Sequence, residues 1–181
     1  MNLHLPRKRA VRRFQSWAPV QVAAVCYRRS SLSLDFLLVN TSSGKWTFPK
    51  GRLCPWLSPS EAAAREALEE AGARGRIQEI SFAQYLDLKR ALGHDNRSRE
   101  VLIAAYLLEV RGLSDPFEEG RNPTWFSLEE AKQRLAEQRA DRYAQEIAGI
   151  IDAAWSTVRQ AEKRLLARAQ SRSRRLMAGT S

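Results

Sequence analysis

Ser58-Pro59-Ser60-Glu61-Ala62-Ala63-Ala64-Arg65-Glu66-Ala67-Leu68-Glu69-Glu70-Ala71-Gly72 is the stretch that decides the fold. Ser58 offers an N-cap oxygen, and Pro59 needs no amide donor at the first helical position. Glu61 stands three residues past the cap, where its carboxylate can reach back to the cap amide. Ala, Arg, Glu and Leu fill the body, and Gly72 supplies the left-handed residue that ends a helix. The spacing predicts a helix over residues 58–71. At roughly 100° per residue, Glu66, Glu69 and Glu70 share one arc of its surface. Like charges so placed repel, so the three acids form either a solvated acidic face or a cluster that a cation neutralises. Arg65, four residues before Glu69, is a local counter-charge.

Outward from this helix, residues 20–27 and 34–40 read as a strand pair joined by a polar connection, and 41–44 as a loop. Residues 45–57, punctuated by Pro49, Gly51 and Pro55, form a structured loop. Residues 76–88 and 100–110 are further strands separated by the basic loop 89–99. Residues 124–127 make a short strand, and Ser127-Leu128-Glu129-Glu130 opens a second helix with its own cap signal. A last helix starts near Asp141. Tyr143, Ile147, Ile150, Ile151, Ala154, Trp155 and Val158 recur on one helical stripe that should dock on the core, and the helix should fray near Ser171–Arg175 as cations take over. Strands interleaved with helices indicate an α/β fold.

The chain of 181 residues suits one domain. Its formal charge of +10 is unevenly placed. Residues 1–19 carry Arg7, Lys8, Arg9, Arg12 and Arg13 with no acid, and residues 159–181 carry seven cations against Glu162 alone, which leaves the stretch between close to neutral. This divides the chain into a mobile basic arm (1–19), a domain of ordinary size (20–158) and a basic helical extension and tail (159–181). The longest apolar run, residues 101–108, is far below the ~20 residues of a membrane-crossing helix, so no membrane insertion is expected. Two cysteines without a CxxC pair fit a reducing, cytoplasmic setting. Cys54 has no base near it in sequence, which gives nucleophilic catalysis no support.

Gly51, followed fourteen residues later by Arg65-Glu66-Ala67-Leu68-Glu69-Glu70-Ala71-Gly72, resembles the Nudix box, which runs Gly, five residues, Glu, seven residues, then Arg-Glu-apolar-x-Glu-Glu-x-Gly-apolar. Two departures stand out: the box's first Glu falls on Leu57, and its bulky apolar positions fall on Ala67 and Ala73. Trp46-Thr47-Phe48-Pro49-Lys50-Gly51 and Gly120-Arg121 ahead of Trp125-Phe126 extend the resemblance over residues 20–155. These motifs are most similar to the branch acting on diphosphoinositol polyphosphates and diadenosine polyphosphates. The resemblance implies an α/β/α sandwich with a mixed central sheet, and a metal-dependent hydrolase that uses Mg²⁺, or Mn²⁺, to cleave a phosphoanhydride in a polyphosphorylated small molecule. It also implies roles for named residues. Glu66, Glu69 and Glu70 become metal ligands, with Glu69 and Glu70 catalytic and Arg65 orienting Glu69. Lys50, Gly51, Arg52 and Arg121 become substrate contacts.

Leu57 cannot bind a cation, so one outer contact is missing or comes from elsewhere. Glu119, in the loop with Glu118, is the preferred candidate from outside the box, as water-activating base or as a compensating ligand. Arg97, Arg99 and Arg121 are candidates for distal phosphates. His94 could face substrate from the basic loop, and Trp56 could stack on a base or cover the site mouth, while Trp155 belongs to the helical stripe. Two alternatives stay open: an RNA 5′-end pyrophosphohydrolase whose basic ends follow the RNA backbone, and a Nudix-like binding module weakened by Leu57. Substrate identity and oligomeric state are not readable.

Overall fold

The computed structural model describes residues 19–30, 33–90 and 98–178. The basic arm ahead of Pro19, His94 and Arg97 lie outside them. Eight strands and three helices follow in the order β1 (Gln21–Arg29), β2 (Leu34–Asn40), β3 (Trp46–Thr47), β4 (Lys50–Arg52), α1 (Pro59–Ala71), β5 (Ala73–Ile77), β6 (Ala83–Arg90), β7 (Ser98–Leu113), β8 (Thr124–Ser127), α2 (Leu128–Ala136) and α3 (Asp141–Ala178). Ser58 caps α1, its side chain accepting from the Glu61 amide while the Glu61 carboxylate accepts from the Ser58 amide, and Gly72 ends the helix at φ 63°.

β1 lies at the centre of a mixed sheet. It runs parallel to β7 and antiparallel to β2, and near its start it pairs with β4 through Val22↔Gly51 and Ala23↔Lys50. β7 in turn carries β5 and β6 on one edge, each antiparallel. Strands alternate their side chains between two faces, and β1 feeds a core on each. Val22, Ala24 and Cys26 pack with Ala62, Ala63, Ala67 and Ala71 of α1. Ala23, Val25 and Tyr27 join Leu135 of α2 and Ile147, Ile151, Ala154 and Val158 of α3 on the other side. The result is the α/β/α sandwich. The alanine face of α1, including the box departure Ala67, lets that helix sit close to the sheet, and Leu57 packs against the same cluster.

Two local expectations change. The strand expected over 76–88 is two strands, β5 and β6, on different halves of β7, because the chain leaves the sheet over residues 78–82 and re-enters in another register. α3 does not end near Ser171 but continues to Ala178. The extension is rich in Ala, Leu, Arg and Gln, which sustain a helix without help from the core. No helix among the described residues is long and apolar enough to cross a membrane.

Candidate active site

α1 turns Glu66 and Glu70 toward the sheet, where both are buried. They meet the turn into β4. A Cβ built on Gly51 would fall 2.0 Å from Glu66 Oε1, so the carboxylate occupies the volume that any other residue at position 51 would claim. The backbone amide of Lys50 donates to Glu70 Oε2 at 3.2 Å. Burial raises both carboxyls above their ordinary range. For Glu66 the neighbouring Glu69 adds to the effect, and Glu70 is pushed up to about 7 even with Arg121 beside it. Two buried acids are therefore short of positive charge.

Arg121 is the main cation against Glu70, its Nη2 lying 2.6 Å from Glu70 Oε1. The same guanidinium donates to Glu118 Oε2 through Nε at 2.8 Å and Nη2 at 2.5 Å. The backbone here is bent on both sides, with Gly120 at φ 74° and Asn122 at φ 47°; positive φ at a residue with a side chain marks a conformation held by its surroundings. The loop that delivers Arg121 is also fastened to the end of α1. Ser114 N donates to Gly72 O, and Glu118 N to Glu69 O, so backbone carbonyls left open at the helix end find partners.

Beside Glu70 opens a cavity of about 740 Å³. Among the described residues Lys45, Lys50, Lys89, Arg121 and Arg139 line it against two acids, Glu70 and Asp87. Lys89 is held below its ordinary pKa by burial, with Lys50 and Arg52 reinforcing the effect. Asp87 is buried, yet its carboxyl lies below its usual range: burial pushes it up, and the Lys50 ammonium, with Arg139 beyond it, more than offsets that. A smaller polar pocket adjoins this one across Thr41 and Arg121, and Glu118 and Glu119 line it.

The structure thus brings Glu66, Glu70, Lys50, Gly51 and Arg121 together. Among the described residues no three His, Cys, Asp or Glu side chains are grouped so as to hold a metal ion. Each carboxylate turns toward a protein cation or amide. Glu69 is half-buried and faces Arg65, whose Nε stands 3.5 Å away. Arg65 also lies 3.7 Å from Glu66, and its Nη1 donates to Cys54 Sγ at 3.7 Å. Arg52 is exposed and outside the cavity, and Glu118, rather than Glu119, pairs with Arg121. Arg99 is exposed on β7, and Trp56 is 80% exposed. The sequence reading passed over Asp87, Lys45, Lys89 and Arg139. For Asp87 a signal existed: it shares the inward phase of β6 with the buried Tyr85, where an acid requires a partner.

A family model described as the NUDIX domain matches residues 18–147. The chain is 33% identical over 118 residues to diphosphoinositol polyphosphate phosphohydrolase 2 of Rattus norvegicus, covering 61% of this chain and 59% of that protein. It is 33% identical over 119 residues to diphosphoinositol polyphosphate phosphohydrolase 3-beta of Homo sapiens, covering 61% and 65%. The match therefore spans less than two thirds of those curated relatives. The crystal structure of a C. elegans Ap4A hydrolase binary complex superposes with a TM-score of 0.57 at 22% identity, covering 77% of this chain and 97% of that one, which is a likeness of fold. Gly51, the acid-bearing helix that leans on it and the sheet beneath both fall inside the matched stretch, and the chain belongs to the NUDIX domain family.

Proposed function

We propose that this protein is a metal-dependent hydrolase that cleaves a phosphoanhydride linkage in a polyphosphorylated small molecule, such as a diphosphoinositol polyphosphate or a dinucleoside polyphosphate. The observation that carries the reading is the pair of buried, charge-deficient carboxylates Glu66 and Glu70, of which Glu70 lines a cavity whose other charged walls are mostly cationic. The curated relatives point to the same substrate class.

The donor set fits a hard divalent ion, Mg²⁺ or Mn²⁺. It consists of carboxylate oxygens only, and the Glu66 carboxylate lies in a cradle that a Cβ on Gly51 would fill. Glu66 and Glu70 would hold it, and Glu69, which faces Arg65 in this structure, would have to leave that partner to join them. Such an ion neutralises charge on phosphate oxygens and makes a bound water more acidic. The chain's own groups do the rest. Lys50 and Arg121 face the cavity and bind anionic oxygens, Arg121 with a planar guanidinium suited to phosphate. Arg65 restrains Glu69 from one helical turn away. Glu119 has no ion-pair partner among the described residues, whereas Glu118 is occupied by Arg121. Glu119 is thus the loop acid left for accepting a proton from water as water adds to phosphorus and the P–O bond to the bridging oxygen breaks.

The test is a panel of inositol pyrophosphates, dinucleoside polyphosphates, nucleotide sugars and triphosphorylated RNA, with and without Mg²⁺. Mg²⁺-dependent release from one of the first two classes is expected. Turnover of triphosphorylated RNA alone would replace the small-molecule reading, and inactivity across the panel would end the enzymatic one.

A further inference from the structure

A carboxylate in a cavity built to attract anions needs a reason. Asp87 is such a group: it lines the same cavity as Glu70 and the lysines and is 8% exposed. Left to itself it would repel a phosphate and suffer the cost of burial. Its two oxygens are used differently. Oδ2 accepts from Lys50 Nζ at 2.7 Å. Oδ1 accepts from the Leu88 amide at 3.0 Å and lies 4.0 Å from Arg139 Nε. The amide contact fixes the carboxylate to its own strand, so it cannot turn away from Lys50.

Lys50 is held from a second side by Thr47, whose Oγ1 accepts from the same Nζ at 2.8 Å. Thr47 is buried at 1% exposure. An ammonium has three N–H donors, and two are committed to these acceptors. Lysine ordinarily carries a flexible stem with considerable rotamer freedom. Here both ends are pinned: the Lys50 amide rests on Glu70, and its ammonium is clamped by Asp87 and Thr47. That leaves one donor on a charged group of fixed position at the cavity wall.

We propose that Asp87, supported by Thr47, is a positioning residue that holds the Lys50 ammonium as a fixed donor to the diphosphate oxygens of the substrate. This rests on the hydrolase reading above. The gain is pre-paid orientation: a donor already in place loses no further freedom when substrate binds. The cost is one negative charge in a cationic cavity, and the two effects predict opposite signs when that charge is removed.

The experiment measures two quantities on the full chain with Mg²⁺: kcat/KM on the substrate found by the panel, and Kd for methylenediphosphonate, whose P–C–P bridge offers no anhydride to cleave. Asp87→Asn, Lys50→Met, the double variant and Thr47→Val are compared with the wild type. If Asp87 acts through Lys50, Asp87→Asn weakens methylenediphosphonate binding and lowers kcat/KM, each roughly tenfold. Adding it to Lys50→Met changes neither further. Thr47→Val, a near-isosteric change away from the acid, shifts both in the same direction. Unchanged or tighter binding in Asp87→Asn, or a loss that persists in the Lys50→Met background, overturns the proposal. The diphosphonate readout stands even if no substrate is turned over, so failure of the hydrolase reading and failure of the Asp87 role are separate results.

Discussion

Gly51→Ala tests the site with the smallest possible change. A methyl group at position 51 would lie 2.0 Å from Glu66 Oε1, 2.1 Å from its Cδ and 2.5 Å from Oε2. Non-bonded heavy atoms settle near roughly 3.5 Å, so the carboxylate must withdraw by about 1.5 Å. Its obstacle is the far end of a flexible side chain rather than backbone, and the fold can absorb the change. The thermal midpoint should therefore move by no more than about 4 °C. Chemistry is less tolerant, since a misplacement of about 1 Å in a reacting constellation can cost ~10²-fold in rate, equivalent to about 2.7 kcal/mol of barrier. The assay is steady-state turnover with Mg²⁺ beside calorimetric binding of Mn²⁺, both of which should weaken. Because the effect passes through Glu66, Gly51→Ala should cost nothing more once Glu66→Ala is present. A Gly51→Ala protein that is folded and turns over within about threefold of wild type would refute the idea that the Gly51–Glu66 contact organises catalysis.

Replacing Glu70 by Gln removes a ligand charge while keeping size, and should lower kcat by roughly 10³-fold; near-normal turnover would contradict its assignment. Glu119→Gln ranks that residue directly: a loss as deep as that of Glu70→Gln marks the base, and a milder one an auxiliary. Stability should carry a pH signature. Burial raises Glu70 from 4.5 to about 7, so its contribution is complete below pH 4.5 and is lost as pH rises through 7. The chelator-treated protein should thus lose about 3 kcal/mol between pH 5 and 8 in denaturant titrations, a loss absent from Glu70→Gln and reversed by Mg²⁺. Gly72→Ala should be severe for another reason. Its φ is 63°, and a Cβ would lie 1.9 Å from the Ser114 carbonyl oxygen, an obstacle made of backbone. A destabilisation above about 2 kcal/mol is expected from chemical denaturation.

What could be read in the sequence was local or periodic. The capping box of Ser58 and Glu61, the stop at Gly72 and the apolar stripe of α3 each depend on residues within a few turns of one another; the first two stand as expected, and of the stripe Ile147, Ile150, Ile151, Ala154 and Val158 reach the core while Trp155 stays 39% exposed. The exit of the chain between β5 and β6 depends on which half of β7 each strand finds, which no short window contains. The site divides in the same way. That Gly51, Glu66 and Glu70 belong to one site is what the motif implies; the seating of the Glu66 carboxylate against Gly51 is visible only in the structure. Lys50–Asp87 joins residues 37 apart in sequence, and Arg121–Glu70 bridges a loop to a helix. Such pairs are products of tertiary closure, visible beforehand only as an acid in the inward phase of a strand and an arginine expected to meet substrate. Acids spaced for one arc divide here between two counter-charges, Glu69 facing Arg65 and Glu70 facing Arg121.

The bonds from Ser114 and Glu118 to the carbonyls of Gly72 and Glu69 make the acid-bearing helix and the loop that carries Arg121 a single mechanical part. An insertion between residues 114 and 121, although it would fall in a surface loop of the kind that usually absorbs extra length, would loosen the grip on both the acids and the guanidinium at once. Variation in substrate choice among proteins built this way should accordingly collect away from that part, around Gln138 and Tyr143 at the start of α3, where the cavity wall can change without disturbing it.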